Sequence, residues 1–207
     1  MPEIFEFPFI YYHREEEFGG FSVTIPYKES IMRYLDELSP EAKEIGAVNC
    51  IKINSQNKLV GHNTDYYGFT NAITPLLKKN HKKAMILGTG GASKAIKYAL
   101  KNMGITFTQV SRKTDNQYLN YNQLTEEILK EYTIIINCTP LGVHPNTEQL
   151  PDIPYQYITE NHLMFDLIYN PSTTKFLKEG KKQGATIKNG LEMLQLQAEK
   201  SWEIWNS

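Results

Sequence analysis

The stretch that most constrains this chain is Ala84-Met85-Ile86-Leu87-Gly88-Thr89-Gly90-Gly91-Ala92-Ser93-Lys94-Ala95, an apolar run that breaks into glycines and resumes with helical spacing. A strand, a glycine turn and a helix in this order bring backbone N–H groups and a helix N-terminus onto a phosphate, because only glycine lets the main chain approach that closely. The ligand such a turn suits is a dinucleotide pyrophosphate. The dinucleotide fingerprint calls for Gly-x-Gly-x-x-Gly, and here Ser93 stands at the third glycine's place, so a plain glycine-rich turn is the competing reading of this stretch alone.

The segments around it alternate. Strands are expected over Ala84–Leu87, Thr106–Val110, Thr133–Asn137, Leu163–Leu167 and Thr186–Lys188, and helices over Ala92–Met103, Leu124–Lys130 and Ser172–Lys182. That pattern implies parallel βαβ units. Upstream, the spacing predicts strands over Phe21–Pro26, Val48–Ile53 and Leu59–His62, with a weaker alternation at Phe5, Phe7, Phe9 and Tyr11. Helices are expected from Lys28 to Leu38, from Ser39-Pro40 to Gly46 with serine as N-cap, and from Tyr66 to Leu77. At the C-terminus, Leu191, Leu194, Ala198, Trp202 and Trp205 fall at helical spacing and predict a buried face.

The expected organisation is therefore an α/β chain of two parts. A dinucleotide-binding Rossmann-type domain covers residues 79–190, and a smaller α/β domain covers residues 1–78, completed by a C-terminal helix over 191–207. With 22 basic and 23 acidic residues there is no charge excess to attract nucleic acid or an anionic membrane, and small molecules are the expected partners. Cys50 and Cys138 are too few and too far apart for a disulfide framework or a zinc site, so no metal is expected. The N-terminal residues carry no basic region with a cleavable apolar stretch, and no apolar run reaches membrane-spanning length. A cytoplasmic location is the expectation.

At the end of the second strand of a dinucleotide domain, a carboxylate would hydrogen-bond the adenosine ribose of NAD. This chain has Ser111, Arg112 and Lys113 there. A guanidinium can pair with a 2'-phosphate through two charge-assisted hydrogen bonds, which favours NADP over NAD; the competing reading is a solvated strand end. Lys28, at a strand-to-helix junction, and Asp65, in a strand-end loop, could line one cleft, where a carboxylate would hold an ammonium suited to proton transfer. Taken singly, both are also ordinary surface residues.

Seven stretches in one order then resemble the shikimate dehydrogenase family: Val23-Thr24-Ile25-Pro26-Tyr27-Lys28, Ile45-Gly46-Ala47-Val48-Asn49, Gly61-His62-Asn63-Thr64-Asp65 with Gly68, the loop Gly88 to Ala95, Asn137-Cys138-Thr139-Pro140-Leu141-Gly142, Asp166-Leu167-Ile168-Tyr169-Asn170-Pro171 with Thr174, and Asn189-Gly190-Leu191-Glu192-Met193-Leu194 with Gln197-Ala198. The resemblance implies reversible, NADP-dependent reduction of 3-dehydroshikimate to shikimate, a step toward the aromatic amino acids. It implies Lys28 and Asp65 as the catalytic pair. Thr24, Asn49 and Gln197 would contact the ring hydroxyls, and Tyr169 the substrate carboxylate. Gly88, Gly90, Gly91 and Ala92 would cradle the pyrophosphate, Ser111 and Arg112 would meet the 2'-phosphate, and Thr139, Leu167 and Gly190 would lie near the nicotinamide.

Members of this family begin with a βα unit that carries a substrate-binding serine pair. Here only about twenty residues precede Val23-Thr24, and neither Ser22 nor any other residue before Lys28 matches that pair. The smaller domain is thus expected to lack a strand and half of its carboxylate subsite, with the aromatic segment Phe5 to Tyr12 covering part of the gap. A non-catalytic NADP-binding or interaction protein and an NAD-dependent quinate/shikimate dehydrogenase are the alternative functions. The chain is expected as a monomer or homodimer.

Overall fold

The computed structural model describes Phe7, residues 19–112 and residues 117–207. Two sheets organise the chain. The larger has six parallel strands in the order β10-β9-β8-β5-β6-β7: β5 (Lys83–Leu87), β6 (Thr106–Ser111), β7 (Leu119–Asn120), β8 (Ile134–Asn137), β9 (Leu163–Asp166) and β10 (Thr186–Lys188). Ile134, Ile135 and Ile136 are all fully buried, as a strand covered on both faces requires.

On one face lie α2 (Asp65–Ile73), α3 (Gly91–Asn102) and α6 (Leu191–Trp205). Phe69 and Ile73 of α2 share a core with Ile96, Ala99 and Leu100 of α3, with Ile86 and Ile136 of the sheet, and with Met193 of α6. The Phe69 and Phe165 rings meet edge to face at 5.1 Å. On the other face, Leu129 of α4 (Glu126–Glu131) and Phe176 and Leu177 of α5 (Lys175–Lys182) cover Met85, Leu87, Ile135 and Met164. The chain runs from β5 to β6 on one side and returns to β8 on the other. Strand order therefore reverses between β5 and β8, and a crevice forms outside the carboxyl ends of these strands.

The smaller sheet has the order β1-β3-β4-β2, from β1 (Gly20–Ser22), β2 (Glu37–Leu38), β3 (Cys50–Ile53) and β4 (Leu59–His62). Between β2 and β3 runs α1 (Pro40–Ile45), where Ser39 accepts the Ala42 N–H at 3.2 Å and Gly46 ends the helix in the left-handed region (φ 69°). Of the expected Phe5 to Tyr11 strand, only Phe7 lies within the described residues. It is helical rather than extended, and its ring packs on Phe21 and Tyr34 at the core of this sheet.

Three local expectations are corrected. The strand expected over Phe21–Pro26 is regular only to Ser22, because Tyr27 N–H turns back to the Thr24 carbonyl at 2.9 Å. The helix expected from Lys28 to Leu38 is a 3-10 turn, Ser30–Tyr34, followed by extended backbone at Leu35. There the Asp36 N–H goes to the Leu59 carbonyl and the Asp36 carboxylate accepts the Leu59 N–H, so pairing with β4 displaces the helix. On α6 the buried residues are Met193 and Ser201, while Leu191 and Trp202 are 44% and 65% exposed. Gln197 and Ser201 take the inward face because buried partners satisfy their polar atoms, which an apolar pattern does not register.

Candidate active site

Lys28 sits where the chain leaves the turn after β1, and its carbonyl accepts the Val48 N–H at 2.7 Å, which ties this loop to the smaller sheet. Asp65 opens α2, where a carboxylate is favoured by the helix dipole. Lys28 Nζ donates to Asp65 Oδ2 at 2.6 Å, with side-chain exposures of 12% and 3%. The Asp65 N–H is held by Asn63 Oδ1 at 3.1 Å, and Asn63 Nδ2 donates in turn to the Ala47 carbonyl at 3.0 Å.

Asn49 is the hub beside this pair. Its Nδ2, with two hydrogens to share, lies 3.1 Å from Asp65 Oδ1, 2.9 Å from Gln197 Oε1 and 3.0 Å from Thr64 Oγ1, and its Oδ1 accepts the Thr64 N–H at 2.6 Å. Thr64 Oγ1 lies 3.0 Å from Ser201 Oγ, which donates to the Gln197 carbonyl at 2.8 Å. The structure thus brings Lys28, Asp65, Asn49 and Gln197 into one buried polar cluster. Thr24 is exposed on the turn one residue beyond Val23, whose N–H bonds to the Asn49 carbonyl at 2.8 Å. Tyr169, 49% exposed, lies on the loop after β9, and neither side chain is hydrogen-bonded into the cluster.

Facing it is the glycine turn. Gly88 adopts φ +106°, a conformation that other side chains rarely take, and a Cβ there would lie 3.1 Å from Thr139 Cγ2. A Cβ at Gly90 would meet nothing within 4 Å, and one at Gly91 would stand 3.5 Å from Lys28 Cβ. Gly90 caps α3, a twelve-residue helix, without a side-chain bond, and of its first N–H groups that of Ser93 returns to the Gly90 carbonyl at 2.9 Å, while those of Gly91 and Ala92 have no partner within the helix. Ala92 follows in the first turn.

Ser93, in place of the third glycine, is fully buried and donates to the Gly90 carbonyl at 2.7 Å. Gln109 of β6 donates to the Gly88 carbonyl at 3.1 Å and to Ser93 Oγ at 3.3 Å. Both braces escaped the sequence reading. A small polar residue three places after Gly90 was the available signal for Ser93, whereas nothing local marked Gln109.

Ser111 ends β6 and is buried, and Arg112 follows it, exposed. Tyr121, whose phenol burial pushes up, lies near enough to feel the Arg112 charge. At the ends of β8 and β9, Thr139 is held by Asn137 Oδ1, and Leu167 N–H continues the ladder to the Asn137 carbonyl at 3.1 Å. Gly190 packs on Leu167, and a Cβ there would fall 2.1 Å from the Leu167 carbonyl oxygen. Two ion pairs clasp α3 to the first part of the chain: Lys94 to Glu29 at 2.6 Å, and Lys101 to Glu44 at 2.7 Å. Cys50 and Cys138 are free thiols raised by burial, and the described residues hold no cluster of three potential metal ligands. Among them no helix is long and apolar enough to cross a membrane.

Fold and site together define an α/β protein with a Rossmann-type sheet and a buried lysine–aspartate pair set against its glycine turn. Residues 5–51 match the family described as the shikimate dehydrogenase substrate binding domain. The chain is 42% identical over 206 residues to the shikimate dehydrogenase (NADP(+)) of Methanococcus maripaludis strain S2, covering 91% of this chain and 72% of that protein. Among solved structures, it resembles shikimate dehydrogenase 1 from Peptoclostridium difficile (40% identity, TM-score 0.79, 98% of this chain and 76% of that one). It also resembles the Thermus thermophilus shikimate 5-dehydrogenase in complex with NADP(H) and shikimate (28% identity, TM-score 0.83, 98% and 77%). The chain belongs to the shikimate dehydrogenase family.

Proposed function

We propose that this chain catalyses the reversible, NADP-dependent reduction of 3-dehydroshikimate to shikimate. The observation that carries the reading is the approach of its two halves: Lys28, paired with Asp65, stands across from Gly91 of the turn, where a Cβ would lie 3.5 Å from its own. A proton donor there stands beside the place where a dinucleotide would enter.

The residues present fit NADP. Gly88, Gly90, Gly91 and Ala92 form the cradle, the open space at Gly90 admits a phosphate, and Ser111 with the exposed Arg112 supplies hydroxyl and guanidinium for the 2'-phosphate. Thr139, Leu167 and Gly190 would border the nicotinamide. When bound, the cofactor supplies the hydride. Lys28 gives its proton to the carbonyl oxygen that becomes the hydroxyl, and Asp65 holds the ammonium in place. Asn49 and Gln197, with amide groups already aligned at the pair, take the ring hydroxyls together with Thr24, and Tyr169 meets the substrate carboxylate. In this reading residues 1–78 with 191–207 hold the substrate and residues 79–190 the cofactor. The protein works in the cytoplasm as a monomer or homodimer.

The test is a titration of the chain with NADPH, followed by an assay of NADP reduction with shikimate. Binding with turnover is expected. NADPH binding without turnover on shikimate or quinate would favour a non-catalytic family member, and turnover with NAD in preference to NADP would overturn the cofactor assignment.

A further inference from the structure

Asp166 ends β9 and is fully buried. Its Oδ1 accepts the Asn137 Nδ2–H at 3.0 Å and the backbone N–H of Ile168 at 3.1 Å, and its Oδ2 accepts the Thr174 hydroxyl at 2.5 Å. Asn137, also fully buried, uses its Oδ1 to accept the N–H and the hydroxyl of Thr139 at 3.0 and 2.6 Å. A carboxylate shut away from water is costly even when hydrogen-bonded, and the proton transfer described above does not use this one.

Its bonds fall where two parallel strands part. The Leu167 N–H to Asn137 carbonyl bond closes the backbone pairing of β8 with β9. Past it, the Asn137 to Asp166 bond joins the two turns. One turn carries Thr139, which packs on the glycine turn at Gly88, and the other carries Leu167, which packs on Gly190.

We propose that Asp166 is a positioning residue for the cofactor site. Through Asn137 it fixes Thr139, and through the Ile168 N–H it fixes Leu167, so that the two residues read as bordering the nicotinamide keep one spacing. A misplacement of about 1 Å in such a wall is enough to slow transfer to a substrate. The inference rests on the cofactor reading of Thr139 and Leu167 given above.

Four variants of the full chain test it: Asn137→Ala, Asp166→Ala, Asp166→Asn and Thr174→Val. Each is measured for NADPH affinity by fluorescence titration, for kcat and the shikimate KM, and for thermal midpoint. Loss of the buried hydrogen bonds of either side chain, in Asn137→Ala or Asp166→Ala, is expected to weaken NADPH and lower kcat by about ten-fold or more each, with the shikimate KM changed by less than about two-fold. Asp166→Asn keeps an Oδ1 acceptor for Asn137 and Ile168 and is expected to return NADPH affinity to within about three-fold of the parent. Thr174→Val removes the cap of α5 and lowers the thermal midpoint, yet holds NADPH within about two-fold.

Parent-like NADPH affinity and kcat in Asn137→Ala would overturn the inference. So would an Asp166→Asn protein as impaired as Asp166→Ala, or a Thr174→Val protein that loses cofactor as strongly as Asn137→Ala. Should Asp166→Ala fail to fold, the comparison of Asn137→Ala with Asp166→Asn decides. Failure of the unsubstituted chain to bind NADPH would instead overturn the cofactor reading, and this inference with it.

Discussion

A Cβ placed on Gly91 would stand 3.5 Å from the Cβ of Lys28, so the glycine turn of the larger sheet and the lysine of the ion pair face each other with room for little more than a methyl group between them. The Lys94–Glu29 pair bridges the same two segments one step further on. The glycine turn and the lysine–aspartate pair therefore lie on one surface.

Removing the Lys28 ammonium while keeping its stem should abolish proton donation and leave the stem facing Gly91. Lys28→Met is expected to lower kcat for shikimate oxidation by about 10²–10⁴-fold, the range of general acid–base contributions, while NADPH still binds. Steady-state kinetics with a parallel NADPH titration checks this. A kcat within a factor of a few of the parent would dismiss Lys28 as the donor.

Gly90 has ordinary extended backbone (φ −76°, ψ 179°), and no atom lies within 4 Å of its Cβ position. A side chain there threatens a ligand and not the fold. Gly90→Val is expected to change stability by no more than about 1 kcal/mol and to weaken NADPH by more than about ten-fold. Urea unfolding beside fluorescence titration separates the two effects.

Arg112→Ala should act on the 2'-phosphate alone. The ratio of NADP to NAD affinity is expected to fall by about ten- to a hundred-fold, as loss of a charge-assisted pair implies. An unchanged ratio in binding titrations with both dinucleotides would show that Arg112 is only a solvated strand end.

Restoring the fingerprint glycine should harm the protein. Ser93→Gly removes the bond to the Gly90 carbonyl and one of the two acceptors of Gln109, and it places glycine inside the first turn of α3. A loss of about 2–3 kcal/mol is expected by denaturant unfolding, from two buried hydrogen bonds and one helical glycine. Equal or greater stability in Ser93→Gly would mean that the brace contributes nothing.

Burial pushes the Asp166 carboxyl up from 3.8 to about 6, against the lowering effect of bonds from Thr174, Ile168 and Asn137. The folded state then holds this proton more tightly than the unfolded chain does. The stabilisation is complete below pH 4 and is lost as pH rises through 6, a linked cost of ~3 kcal/mol at neutral pH. Asp166→Asn removes that dependence, so its stability relative to the parent should improve between pH 4 and pH 7. A pH-independent difference between the two in denaturant unfolding would contradict this assignment.

Much of the larger sheet was legible because its signals are local. Ile134 to Ile136 announce a strand buried on both faces, and glycines after Leu87 announce a turn. Ser39 and Gly46 mark the ends of α1 by their own chemistry. The smaller part was less legible where a distant strand claimed backbone groups. Asp36 bonds to Leu59, and the helix expected from Lys28 to Leu38 gives way to a 3-10 turn and a strand.

The sequence by itself determined the alternation of elements, the glycine turn with Arg112 beyond it, and the family motifs that nominated Lys28 and Asp65. Tertiary structure decided that those two residues, 37 positions apart, meet at 2.6 Å, and that Asn49 reaches Gln197 across 148 positions. It also turned Gln197 and Ser201 of α6 inward and left Trp202 in solvent. The reason is physical: a polar side chain can be buried when another segment supplies its hydrogen-bond partner, and that partner is not encoded in the local pattern of apolar residues.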